Sequence, residues 1–323
     1  MCTAVTYTTK DHYFGRNLDY EHSFQESVTI TPREYKFHFR RLPPMEHHYA
    51  MIGMATISAD YPLYYDATNE HGLSMAGLNF PISARYMPEI KGKDNVAPFE
   101  LIPWILGGCK TVSEAEGKLS NANLVNLSFS EAFPISSLHW MLVDREQAVV
   151  IEQTDVGLQI WQNPVGVLTN EPPFPYHMMN LQNYLHISNE EPVNRFASNL
   201  PLKAYSRGMG GLGLPGDLSS ASRFVKAAFT KQNSVSKDAE SASISQVFHI
   251  LGSVAQQQGC VKVGHAYEKT IYTSCCNTTK GIYYYTTYEN SQITGIRLHG
   301  EDLNTRNLIN YPLIKGQQIR MEN

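Results

Sequence analysis

The order of extended and helical segments constrains the fold of this 323-residue chain more than any other feature. Cys2 to Tyr7 and Tyr13 to Leu18 read as two short strands joined across the turn Lys10-Asp11. Ala50 to Ala59 and Gly72 to Leu78 are also extended, and Pro98 to Leu106 and Thr111 to Leu119 read as short helices. Leu138 to Val143, Ala148 to Gln153 and Leu158 to Gln162, separated by turn-forming residues, form a β-meander. Ser219 to Phe229 opens with small hydroxyl residues suited to a helix N-terminus. Ser243 to Gln257 places Ile244, Val247, Phe248, Leu251 and Val254 on one helical face, with Ser243 and Gln246 spaced as a capping box. Strands then return at Thr270 to Cys276, Ile282 to Thr287 and Ile293 to Leu298. Strands, then helices, then strands predict an α+β layered fold rather than alternating βαβ units.

A 42% apolar content supports a sizeable core, and only 17% charged residues argues against disorder. The net charge of −4 points away from a nucleic-acid partner. The densest cationic stretch, Arg33 to Arg41, alternates with period two and predicts a half-exposed strand. The first residues lack the basic and apolar regions of a signal peptide, and no apolar run suits a membrane span. Five scattered cysteines without a CxxC predict free thiols in a reducing cytoplasm. No linker or repeat divides the chain, so a single domain over residues 1–323 is expected.

Cys2 carries the most specific chemistry. A cysteine near a terminus ordinarily reads as a small buried hydrophobe. Removal of Met1, which a residue as small as cysteine permits, would leave Cys2 with both a thiol and a free α-amine. Their reference pKa values are about 8.5 and about 8, so the amine can take the thiol proton near neutral pH. An internal amide nitrogen cannot. The segment Gly15-Arg16-Asn17-Leu18-Asp19 ends the second strand, and a hairpin returns it beside residue 2. Arg16 can then favour the thiolate, and Asp19 can orient the amine.

Met1-Cys2-Thr3 with Gly15-Arg16-Asn17-Leu18-Asp19 resembles the opening of the choloylglycine hydrolase family, which contains bile salt hydrolases and penicillin V acylases. The likeness continues in order through Gly72-Leu73, Ala76-Gly77-Leu78-Asn79-Phe80-Pro81 and Leu138-His139-Trp140. It covers Gly166-Val167-Leu168-Thr169-Asn170, Leu214-Pro215-Gly216-Asp217 and Ala221-Ser222-Arg223-Phe224. Tyr272-Thr273-Ser274-Cys275 and Gly281-Ile282-Tyr283-Tyr284-Tyr285 complete it. The resemblance implies the four-layer αββα fold of N-terminal-nucleophile hydrolases and a homotetramer, with no metal or cofactor. It places the nucleophile on Cys2, its charged neighbours on Arg16 and Asp19, two asparagines on Asn79 and Asn170, and a second arginine on Arg223. Acyl transfer needs oxyanion donors, and the Asn170 side-chain amide and the backbone or side chain of Asn79 suit that role. Without the resemblance, both asparagines, next to Pro81 and Pro172, read as turn residues. Arg223 would read as a solvated first-turn arginine.

Within the family, penicillin V acylases commonly carry tyrosine where this chain has Asn79, and bile salt hydrolases carry asparagine. The resemblance therefore implies a conjugated bile salt as substrate, with penicillin V or another N-acyl amide as the alternative. A steroid needs an apolar wall, for which Leu18, Tyr65, Phe129 and Phe133 are candidates. Phe129 and Phe133 lie in the loop Leu127 to Pro134, and the alternative is that both pack into the core beneath it. Three further motifs read as structural. Gly208 to Gly213 matches GxGxxG, but Leu214-Pro215-Gly216 follows where a helix would be needed, so a tight loop is expected. His47-His48 reads as a surface loop. Cys275-Cys276 lies in a strand, which sends the two thiols to opposite faces.

Overall fold

The computed structural model describes residues 1–323. Two large antiparallel sheets stack face to face. The first runs in the order Val167–Leu168, Cys2–Thr8, His12–Tyr20, Ala266–Asn277, Ile282–Thr287, Asn290–Arg297, with Val261–Val263 pairing beside Ala266–Asn277. The second runs Gly157–Gln162, Ala148–Thr154, Leu138–Val143, Ser74–Asn79, Tyr61–Asn69, Met51–Ser58, Ser27–Thr31, Ile309–Pro312. Helices Ser220–Asn233 and Glu240–Gly252 pack on the outer face of the first sheet. Helix Leu101–Gly108 packs on Tyr61–Asn69 and Ser74–Asn79 of the second, beside helix Val112–Leu119. The layering is αββα, as the resemblance implied.

The central strands of the second sheet bury both faces, while its outer strands Gly157–Gln162 and Ile309–Pro312 stay partly exposed. Ala76, Leu78, Met141 and Val143 join the core shared with Cys2, Ala4 and Leu18 of the first sheet. Their neighbours Met75, Trp140 and Leu142 instead pack with Leu101, Ile105 and Leu106. Side chains alternate across a strand, so a strand sandwiched by two apolar layers is apolar throughout. The predicted hairpin forms, with Cys2 opposite Leu18 and Ala4 opposite Arg16.

Each sheet carries one irregularity near Arg16 and Asp19. In the second, Met54 pairs with Asp66 and Ala55 with Tyr64, which leaves Tyr65 as an extra residue. In the first, Thr270 pairs with Asp19 and Tyr272 with Leu18, which leaves Ile271 extra. A bulge of this kind frees backbone groups from the ladder and re-aims the adjoining side chains.

Several expectations need correction. Arg33 to Arg41 forms no strand; only an isolated bridge joins Phe37 to Met45. Its alternation has another origin, since Tyr35 and Phe37 are buried in the outer core of the second sheet while Lys36 and His38 face solvent. The helix expected from Ser243 spans Glu240–Gly252, with Ala239 at the N-cap. Ser243 lies inside it, hydrogen-bonded to Thr9, and Gln246 donates to Ser234, so neither forms a capping box. His48 is buried, with both ring nitrogens against the carbonyls of Tyr35 and Tyr49, rather than in a surface loop. Cys275 and Cys276 are both buried in the strand Ala266–Asn277, and Met209–Gly211 is a single 3₁₀ turn inside a loop.

Gly53 permits the close strand approach next to the Tyr65 bulge. A Cβ there would lie 2.0 Å from the Asp66 carbonyl oxygen and 2.7 Å from the Ala67 Cβ. Gly53→Ala is therefore expected to cost about 1–3 kcal/mol of stability, as overpacking of a tight core does. Urea unfolding followed by circular dichroism reads this directly. An unchanged midpoint would show that the bulge tolerates a wider strand spacing.

Candidate active site

Cys2 begins an interior strand of the first sheet, between Val167–Leu168 and His12–Tyr20. The hairpin register places Arg16 and Leu18 on its flank. Arg16 is fully buried, and its Nη2 donates to Cys2 Sγ at 2.8 Å. Its Nη1 donates to the carbonyls of Tyr65 (2.9 Å) and Gly77 (2.8 Å), both on the second sheet. The Tyr65 carbonyl is the one the bulge supplies. Burial works against the Arg16 charge, yet Cys2, Tyr272 and Asp66 together hold its affinity for a proton above the ordinary guanidinium value. The guanidinium thus stays charged against the sulfur.

Asp19 is completely buried. Its Oδ1 accepts from Thr270 Oγ1 at 2.6 Å, while Oδ2 has no hydrogen-bond partner and lies 4.0 Å from Arg223 Nη1. Burial pushes the Asp19 carboxyl up, and Arg223 and the terminal ammonium draw it back. The Asp19 main chain also accepts from the Met1 ammonium at 2.7 Å. That ammonium pairs with the buried Glu268 as well.

Arg223 is also fully buried rather than solvated. Its Nη1 donates to Cys2 O and Thr3 Oγ1, both at 2.6 Å, and its Nη2 donates to Asn170 Oδ1 at 2.7 Å. Asn170 Oδ1 also accepts from the Cys2 backbone nitrogen at 2.8 Å. Asn170 Nδ2 donates to the Asn79 carbonyl at 2.8 Å, which leaves that amide one further N–H. Glu171 accepts from the backbone of Ile82 and Ser83 and so ties the Asn79 and Asn170 segments together. The other five expected residues, Arg16, Asp19, Asn79, Asn170 and Arg223, therefore form one contiguous set with Cys2.

The sulfur opens onto a cavity of about 390 Å³, whose lining is mostly hydrophobic. Cys2, Arg16, Asp19 and Asn79 form its polar end, and Leu18, Tyr65, Phe129 and Phe133 all line it. Asn170 and Arg223 stand behind Cys2, outside the lining. Phe129 and Phe133 are half-buried and pack edge-on, 6.3 Å between centroids, with Phe129 also against Tyr61 and Phe99. Both line the cavity, and Phe129 packs as well against the outer core of the second sheet through Tyr61.

Sequence reasoning missed several contributors. Tyr20, Phe24 and Phe99 line the same cavity, and the spacing of Tyr20 and Phe24 beyond Asp19 was the available signal. Thr270, which holds Asp19, carries no local signal, because only the bulge brings it there. His139 and His177 hold the carbonyls of Thr169 and Asn170 through their Nε2 atoms at 3.0 and 2.9 Å. His139 Nδ1 faces Glu152, so these two imidazoles fix the backbone that presents Asn170.

Thr270→Val removes the hydroxyl that serves Asp19 and also accepts from the Gln256 backbone at 2.7 Å. A fully buried carboxylate would be left short of donors, at a cost of about 1.5–3 kcal/mol. The urea midpoint of Thr270→Val should fall while Thr270→Ser, which keeps both bonds, stays near wild type. Equal midpoints for valine and wild type would mean that Asp19 does not depend on this hydroxyl.

Residues 2–311 match the family described as linear amide C–N hydrolases, choloylglycine hydrolase family. The chain is 55% identical over 314 residues to a bile salt hydrolase/transferase of Lactiplantibacillus plantarum, covering 97% of each chain. Its structure superposes on that of a variant conjugated bile acid hydrolase from Clostridium perfringens with a TM-score of 0.92, 37% identity and complete coverage of both chains. A penicillin V acylase from Agrobacterium tumefaciens shares the fold, with a TM-score of 0.77 at 18% identity, covering 97% of this chain and 92% of that one. With the family match spanning nearly its whole length, the chain belongs to the choloylglycine hydrolase family and is an amidohydrolase acting on linear amides.

Proposed function

We propose that this enzyme hydrolyses the amide of glycine- or taurine-conjugated bile salts, with Cys2 as the nucleophile once Met1 has been removed. The observation that carries this reading is the Cys2 sulfur, held by Arg16 at the polar end of an otherwise apolar cavity. A rigid apolar steroid fits the walls formed by Leu18, Tyr65, Phe129 and Phe133, and the amide then meets the sulfur. Loss of Met1 turns the Cys2 nitrogen into an amine beside Asn170 Oδ1.

The steps follow from these positions. The α-amine takes the thiol proton, and Arg16 stabilises the thiolate. Attack on the amide carbonyl forms a tetrahedral oxyanion, which the backbone N–H or side chain of Asn79 and the remaining N–H of Asn170 can receive. The carbon–nitrogen bond then breaks, and the α-ammonium gives its proton to the departing glycine or taurine amine. Water, deprotonated by the same amine, attacks the thioester and releases the free bile acid and the thiol.

The same reading includes a single domain over residues 1–323, assembly as a homotetramer and a cytoplasmic location. No helix is long and apolar enough to cross a membrane. Self-assembly is supported by an exposed apolar segment with Leu185, Val193, Phe196, Leu202, Tyr205 and Leu212. The five unpaired cysteines accord with a reducing compartment.

Penicillin V is the alternative substrate, and asparagine rather than tyrosine at position 79 weighs against it. The test compares kcat/KM for taurocholate, glycocholate and penicillin V in wild type, Cys2→Ala and Phe129→Ala. Conjugated bile salts should be preferred, and Cys2→Ala should be inactive. Phe129→Ala should lose about five- to thirty-fold on the steroid, for roughly 1–2 kcal/mol of buried ring contact, and less on penicillin V. Penicillin V equalling taurocholate in wild type would overturn the substrate, and an active Cys2→Ala would overturn the nucleophile.

A further inference from the structure

Asp66 is buried between the two sheets and takes no part in the steps above. Its Oδ2 accepts from the Tyr272 hydroxyl and its Oδ1 from the Tyr283 hydroxyl, both at 2.7 Å, with Ser274 Oγ at 3.5 Å from Oδ1. Both phenols are directed at the carboxyl group, one to each oxygen. Two acceptor oxygens, each facing a hydroxyl donor, are the arrangement an ionised carboxylate requires.

The strand register puts this carboxylate next to Arg16. Asp66 follows the bulged Tyr65 and faces Ala76, which precedes Gly77. Tyr65 and Gly77 supply the two carbonyls that hold Arg16 Nη1. Across the first sheet, Ser274 is the direct partner of Arg16 and Tyr272 that of Leu18. Every hydrogen bond of Arg16 goes to a carbonyl or to the Cys2 sulfur, and none to a carboxylate. While Cys2 is a thiol, every acceptor of Arg16 is neutral, and a buried guanidinium in that state needs a compensating charge nearby. Asp19, the other buried carboxylate of the site, lies nearest Arg223.

We propose that Asp66, oriented by Tyr272 and Tyr283, is the fixed counter-charge of Arg16 and limits how strongly that guanidinium stabilises the Cys2 thiolate. It is a positioning residue that acts through Arg16, and its role rests on Cys2 being the nucleophile. The two bulges build the arrangement, one freeing the Tyr65 carbonyl and the other re-aiming Tyr272. The charged and titratable groups around Asp66 are Arg16, Tyr272, Tyr283 and, more weakly, Cys276. Burial pushes the Asp66 carboxyl up from its ordinary value, and Arg16 and the hydroxyl donors draw it back.

The test uses the processed enzyme and two readouts that do not need turnover. The first is the rate of Cys2 alkylation by iodoacetamide against pH, followed by peptide mass. Asp66→Asn removes the competing anion at nearly constant shape, so the thiolate should persist to lower pH. Its acid limb should move down by about half a pH unit or more. Tyr272→Phe and Tyr283→Phe, which each remove one donor and favour the neutral carboxyl, should move it the same way by less. The second readout is the urea midpoint in a double-mutant cycle with Arg16→Leu. Asp66→Asn should lower the midpoint in the wild-type background and raise it in Arg16→Leu, where the carboxylate has lost its cation. An acid limb that stays put or moves up, or a midpoint change of the same sign in both backgrounds, would overturn the role of Asp66. Bile salt turnover by Cys2→Ala would instead defeat the nucleophile reading, so the two failures are separable.

Discussion

The contact between the Arg16 guanidinium and the Cys2 sulfur is the constraint on which the rest of the site depends. A cation placed in a dry sheet interface is costly unless every N–H is served and a counter-charge is near. The structure serves four of the five N–H groups of Arg16, two of them by combining the sheets. The first contributes Arg16, and the second contributes the carbonyls of Tyr65 and Gly77. One of those carbonyls is available only because a bulge takes it out of the ladder.

Around that contact the site divides into a rigid polar floor and an apolar vessel. Asn170 binds the Cys2 nitrogen, Arg223 and the Asn79 carbonyl at once, so Cys2 and both asparagines are held as one unit. Beneath it, His139 and His177 fix the carbonyls of Thr169 and Asn170. Above it, the aromatic wall is half-buried and belongs to a loop. Such a division suits catalysis, because charge stabilisation needs preorganised dipoles, whereas binding a smooth apolar body needs surface rather than direction.

Much of this was legible in the chain, for identifiable reasons. The hairpin from Cys2 to Leu18 could be read from its turn, and its register alone brings Arg16 beside Cys2. The strand Tyr61–Asn69 is buried along most of its length with polar residues among the apolar ones, so it gave no alternation to read and went unrecognised. The alternation of Arg33 to Arg41 misled for the opposite reason. A segment lying on a core buries every second side chain without any strand partner. Local pattern also cannot show a buried charge. Arg223 looks like a solvated helix arginine until the fold encloses it, and Asp66 looks like an ordinary polar strand residue until Tyr272 and Tyr283 arrive from the other sheet. The bulge at Ile271 depends on pairing between distant strands, so no sequence window contains it, whereas the Tyr65 bulge lies within the hairpin Met51–Asn69, whose second strand the sequence reading did not recognise.

The most direct measurement is the chemical identity of the enzyme caught during turnover. Processed enzyme mixed with taurocholate, quenched in acid within a turnover and digested, should yield an N-terminal Cys2 peptide heavier by a cholyl group and labile to hydroxylamine, as a thioester is. That adduct should be absent from Cys2→Ala. Turnover without any adduct at Cys2, or with the acyl group on another residue, would contradict nucleophilic catalysis by the Arg16-held sulfur.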